Sequence, residues 1–116
     1  MSRRTERIAA QLIAEIARVL RQDVSDPRIG LVTLTRVDVA PDLSHAAVYW
    51  SSVEPIERIE EIAEGLASAA PFVRHALARE LPLRRTPELR FRHDPSLALA
   101  DRTTRLLGEV DGSKRA

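Results

Sequence analysis

The sequence predicts an α+β sandwich in which three strands form one sheet and helices cover one of its faces. Three observations carry this. Apolar residues recur at helical spacing over residues 5–22 and 55–81, and at every second position over 88–94. Two β-branched runs, 31–39 and 46–53, follow one another across the turn-forming Asp42-Leu43-Ser44. The chain of 116 residues, 44% hydrophobic and 30% charged, has the size and composition of one folded domain.

Residues Thr5 to Gln22 read as an amphipathic helix. Ile8, Leu12, Ile16 and Val19 fall within one narrow arc at 3.6 residues per turn, with Ile13 and Leu20 at its edge. Arg3, Arg7, Arg18 and Arg21 share the outer arc with Ala10, Ala14 and Ala17, if the helix reaches back to Arg3. The Asp26-Pro27 step forces Asp26 out of helical geometry and ends the helix, and a turn using Gly30 follows. Leu31 to Val39 and Ala46 to Val53 are the first two strands, expected to pair as an antiparallel hairpin. Val32 and Leu34 sit on one parity and Val37 and Val39 on the other, so a bulge is expected between Leu34 and Val37.

Pro55 opens a second helix with Ile56, Ile59, Ile62, Leu66 and Ala69 on one face, running to about Ala70. Helical spacing resumes at Phe72 and continues through Val73, Ala76, Leu77 and Leu81. Pro71 lies between. Its ring removes one hydrogen bond and clashes with the Ala67 carbonyl, so a kinked helix pair is expected at Ala69-Ala70-Pro71. Leu89, Phe91 and His93 alternate with Glu88, Arg90, Arg92 and Asp94, a half-buried third strand that turns His93 toward the core. Phe72 and Phe91 are both expected in the core. Ser96 caps a last helix through Leu99, Thr103, Leu106, Leu107 and Val110, so residues 1–110 make a single domain and 111–116 a loose tail.

The net charge of +1 hides a segregation. Residues 1–36 carry seven arginines against four acids, 37–64 one against seven, 65–92 six against two, and 93–116 four bases against four acids. Of the 18 basic residues all but Lys114 are Arg, whose flat fork grips phosphate with two hydrogen bonds. A G+C-rich genome would give the same ratio, so the segregation carries the argument. Cysteine is absent, which excludes disulfides, thiolate nucleophiles and cysteine-ligated zinc. His45, His75 and His93 have no second histidine at i+3 or i+4, and the four glycines form no phosphate loop, dinucleotide fingerprint or serine elbow. No catalytic residue, metal site, cofactor or small-molecule substrate is expected. No apolar run approaches the roughly 20 residues of a membrane span, and Met1 to Arg7 is charged without an apolar stretch behind it, so the expected compartment is the cytoplasm.

Four segments then acquire a common meaning. They are Asp26-Pro27-Arg28-Ile29 before the first strand; Asp42-Leu43 followed by Ala46-Ala47-Val48-Tyr49; Phe72-Val73-Arg74 at the kink; and Leu83-Arg84-Arg85-Thr86-Pro87-Glu88-Leu89-Arg90-Phe91 leading to Asp94 and Ser96. In this order and spacing, over about residues 3 to 107, the chain resembles the ribosome-binding factor A family of bacterial assembly factors. The resemblance implies a KH-like fold of the second type, ordered αββααβ(α), in a monomeric non-enzyme without cofactors. The partners it implies are the free small (30S) ribosomal subunit and 16S rRNA. The role it implies is late subunit maturation, with support of 16S rRNA 5′-end processing and of growth in the cold. One departure stands out: where the family usually carries an Ala-x-Gly kink this chain reads Ala69-Ala70-Pro71, and proline has no N–H to offer a phosphate.

Arg74, His75 and Arg79 share about 140° of one helix face at 100° per residue, and Arg84, Arg85, Arg90 and Arg92 follow closely. With Arg3, Arg7, Arg18 and Arg21 on the first helix and Arg28 in its turn, these are the candidate RNA phosphate contacts. Aromatic residues are 3% of the chain, which favours folded RNA read by shape over splayed bases read by stacking. Glu57, Glu60, Glu61 and Glu64 form an acidic stretch that RNA would repel. Two other readings stay open, a protein-interaction module and a generic KH binder of single-stranded RNA. A steep fall of affinity with salt separates phosphate contact from an apolar protein interface.

Overall fold

The computed structural model describes residues 3–95. Five elements follow one another: α1 (Arg3–Gln22), β1 (Thr33–Val39), β2 (His45–Ser51), α2 (Ile56–Glu80) and β3 (Glu88–His93). The expected last helix from Ser96, the domain limit at 110 and the tail 111–116 lie outside the described residues.

α1 forms where the apolar arc is uninterrupted, and Ile8, Leu12, Ile16 and Val19 are all buried along it. Its N-terminus does reach Arg3. The turn after it uses Gly30 at φ +60°, a left-handed conformation that glycine adopts without steric cost. β1 begins at Thr33 rather than Leu31, which stands 85% exposed. The bulge is present: Leu34 pairs with Trp50 and Arg36 with Tyr49, leaving Thr35 without a partner in the ladder. That extra residue exchanges the strand's faces, so Leu34 and Val37 can both point inward despite their opposite parity. Thr35 Oγ1 donates instead to Asp94 Oδ2 at 2.7 Å, tying β1 to the end of β3. In the hairpin turn Asp42 Oδ1 accepts the Ser44 N–H at 3.0 Å, and Leu43, buried, takes φ +61°.

The strands lie in the order β1-β2-β3, with β1 antiparallel and β3 parallel to β2. A parallel neighbour needs a crossover, which α2 provides. Val37, Val39, Ala46, Val48, Trp50 and Leu89 face the helices and close one core with Leu12, Ile16, Val19, Ile62, Leu66, Val73 and Leu77. The other face of the sheet carries Arg36, Tyr49, Arg90 and Arg92.

Two expectations are corrected and a third is met in part. The helix pair is one continuous helix, Ile56–Glu80, with Pro71 inside it. Ile62, Leu66, Ala69, Val73, Ala76 and Leu77 remain in phase across the proline and are buried, whereas Pro71 and Ala67 lie on the exposed side. The orphaned Ala67 carbonyl is thus open to water, and the packing of the inner face outweighs a cost of about 3 kcal/mol. Phe72, expected in the core, is 48% exposed, because it sits about 80° from the centre of that buried arc. His93 keeps the inward parity but is exposed at the strand's end, its ring 4.8 Å from that of buried Trp50.

Candidate nucleic-acid interface

The structure sorts the arginines by what already neutralises them. Arg18 Nε donates to Glu15 Oε2 at 2.7 Å and its Nη1 lies 3.5 Å from Asp23, and the Glu15 hydrogen bond raises its pKa further. Arg28 grips Asp26 at 2.6 Å. Three hydrogen bonds from Arg28, two of its side chain first and one of its backbone N–H second, hold the Asp26 carboxyl below the ordinary carboxylate range. Arg90 pairs with Glu88 at 3.0 Å. These three candidates have local carboxylates competing for the charge that a phosphate would need.

Arg74, Arg79, Arg84 and Arg85 are exposed and have no carboxylate at ion-pair distance among the described residues. Two of them, Arg74 and Arg85, are gathered at one place. Arg74 Nε and Nη2 donate to the Thr86 carbonyl oxygen at 3.2 and 2.9 Å, fastening the loop before β3 to the last turns of α2. The tie brings Arg85 into one concavity of about 340 Å³ with Pro71, Arg74, His75, Ala78 and Thr86. A carbonyl acceptor leaves the guanidinium charge of Arg74 uncancelled, so the concavity holds one anchored guanidinium beside that of Arg85, which acts on the Asp42 carboxylate only from beyond ion-pair distance. Flat guanidinium forks in such an array match phosphate oxygens.

The remaining candidates do not join this surface. Arg3, Arg7 and Arg21 are exposed along α1, and Arg92 is exposed on the sheet face turned away from the helices. Arg36, which sequence reasoning missed, lies on that same sheet face with its guanidinium 4.2 Å from the Tyr49 ring centre and its Nε 3.1 Å from Asp38. Its signal was available in the register, since a bulge before it turns it outward opposite Tyr49. Ala69 packs inward and Ala70 is half-buried, so of the kink residues only Pro71 reaches the concavity. Glu57, Glu60, Glu61 and Glu64 are exposed at the other end of α2, which gives that helix an acidic N-terminal and a basic C-terminal half. The described residues hold no group of three His, Cys, Asp or Glu able to bind a metal. No described helix is long and apolar enough to cross a membrane.

The family model described as ribosome-binding factor A matches residues 4–107. Ribosome-binding factor A of Shewanella sediminis is 46% identical over 108 residues, covering 92% of this chain and 76% of the relative. The crystal structure of ribosome-binding factor A from Thermus thermophilus superposes with a TM-score of 0.68 at 30% identity, over 77% of this chain and 94% of that one. A homology model of Thermus thermophilus ribosome binding factor A, as fitted into the cryo-EM map of its complex with 30S, gives 0.59 at 33% identity over 72% of this chain and 88% of that one. With the family model matching nearly the whole chain, the protein belongs to the ribosome-binding factor A family.

Proposed function

We propose that this chain is a non-enzymatic assembly factor that binds the free small ribosomal subunit, with the concavity of Arg74, His75 and Arg85 and the neighbouring Arg79 and Arg84 meeting 16S rRNA phosphates. The observation that carries the reading is the Arg74–Thr86 tie, which gathers arginines from α2 and the following loop while leaving their charges unpaired. The Thermus thermophilus relative's complex with 30S supports the choice of partner. Arg3, Arg7 and Arg21 along α1 extend the contact on a second face; Arg18, Arg28, Arg90 and Arg92 contribute less, being paired or turned away.

The mechanism needs no bond to break. Binding one set of rRNA conformers better than another shifts their populations, by no more than the difference in affinity. That is how the factor assists late maturation and 16S rRNA 5′-end processing in the cytoplasm, and why it matters for growth in the cold, where rRNA rearranges slowly.

Charge reversal at Arg79, Arg84 and Arg85 tests this by co-sedimentation with free small subunits. Exposed substitutions cost within about 0.5 kcal/mol each, so the thermal midpoint stays near the parent's while binding is lost. The affinity of the parent falls steeply with salt. A folded variant that pellets with subunits as the parent does overturns the assignment.

A further inference from the structure

Three of the four aromatic side chains are closed to a flat ligand. Trp50 is 1% exposed, Phe91 packs against the core, and the Arg36 guanidinium lies over the Tyr49 ring. Phe72 keeps 48% of its surface open. A lone exposed apolar side chain is ordinary; what distinguishes Phe72 is its surroundings. Ser68, Phe72, His75 and Arg79 fall on one strip of α2 at spacings of three and four, so the ring stands between a hydroxyl and two nitrogen-bearing side chains. Beside it a second concavity of about 260 Å³ opens toward the segment after α1. Ala69 and Val24 give it apolar walls, and Asp23, Ser25 and Ser68 line it with polar groups. Asp26 lines it too, but Arg28 occupies that carboxylate at 2.6 Å. Asp23, 43% exposed and 3.5 Å from Arg18, retains oxygens able to accept further hydrogen bonds.

We infer that Phe72 is a stacking platform for one unstacked RNA base, held in the concavity between its ring and the Asp23–Ser25 segment while adjacent phosphates lie on Arg79 and the Arg74–Arg85 concavity. This rests on the reading that the surface meets rRNA, and it adds a base-reading position to a phosphate-binding one. Loops and bulges of RNA are read by splaying a base onto an aromatic ring and hydrogen-bonding its edge. Asp23 as a carboxylate can only accept, so the base it takes turns an N–H toward it, either an exocyclic amino group or a ring N–H such as that of guanine or uracil. A stacked ring adds affinity without charge. Its contribution is therefore independent of salt, whereas that of the arginines is not.

The test is a titration of free small subunits with the full chain at several salt concentrations, for the parent, Phe72→Leu, Phe72→Tyr and the Arg79, Arg84, Arg85 charge reversal. Phe72→Leu is expected to weaken binding about tenfold with an unchanged salt slope, and Phe72→Tyr to bind as the parent does. Ultraviolet crosslinking of the parent complex followed by mass spectrometry is expected to yield the Phe72 peptide joined to an rRNA nucleotide. Phe72→Leu binding as tightly as the parent overturns the stacking role; if charge reversal still abolishes binding, the rRNA reading survives, and if it does not, both fall. Should Phe72→Leu fail to fold, the crosslink decides, and the absence of a Phe72 adduct overturns the inference.

Discussion

Replacing Pro71 with alanine is expected to stabilise this protein. Pro71 is exposed inside α2, about 180° from the centre of the buried arc of Ile62, Leu66, Ala69, Val73, Ala76 and Leu77, so the substitution disturbs no core contact. A helix-interior proline costs about 3 kcal/mol relative to alanine. The hydrogen bond it lacks would end on the carbonyl of Ala67, an exposed position where water can serve as donor, so no further penalty of about 1–3 kcal/mol for a buried orphan adds to this. Against the gain, proline restricts the unfolded chain by up to about 1 kcal/mol. The balance is about 2 kcal/mol, or roughly 8 °C in thermal midpoint at about 4 °C per kcal/mol for a chain of this size. Pro71→Gly recovers the same hydrogen bond but costs about 1 kcal/mol more than alanine in a helix, and so falls between alanine and the parent. Thermal and urea unfolding followed by circular dichroism measure both. An alanine variant no more stable than the parent would refute the reasoning, because it would mean that tertiary contacts require the geometry proline imposes.

Two further outcomes follow from particular contacts. Gly65→Ala should lower the urea midpoint although alanine is the better helix former, since a Cβ there would stand 2.9 Å from Ile29 Cγ1 and 3.2 Å from Arg28 Cβ. Overpacking of about 1–3 kcal/mol then exceeds a helix gain of about 1 kcal/mol, and a raised midpoint would contradict this. The Asp26 and Asp42 carboxyls are held below their ordinary value of 3.8, chiefly by side-chain hydrogen bonds from Arg28 and Ser44. Their stabilisation is present above that unfolded-state value and is lost as pH falls through the lower folded values. The double variant Asp26→Asn, Asp42→Asn should therefore flatten the acid limb of stability against pH below about 4, and an unchanged limb would count against both contacts.

What this sequence determines by itself is whatever repeats over a few residues. The arc of Ile8, Leu12, Ile16 and Val19 specifies α1, the alternation from Glu88 to His93 specifies β3, and the parity slip between Leu34 and Val37 specifies the bulge. Each is set by the geometry of a single element, with periods of 3.6 or 2. The family motifs likewise identify the candidate surface in outline, because Arg74, Arg84 and Arg85 lie close in the chain. Tertiary structure decided the rest. Pro71 looked like a helix break because the local penalty is visible in sequence, while the inner-face packing that outweighs it comes from distant segments. Phe72 looked like core because its apolar character is visible, while its exposure depends on which neighbour reaches an arc's edge, and here Asp23 to Asp26 leave a concavity beside it. Arg28 and Arg74 are chemically identical, yet one is closed on Asp26 and the other turned to a carbonyl with its charge unspent. Backbone periodicity is local and therefore legible, whereas burial and charge neutralisation depend on distances between residues far apart in the chain, which only the folded packing sets.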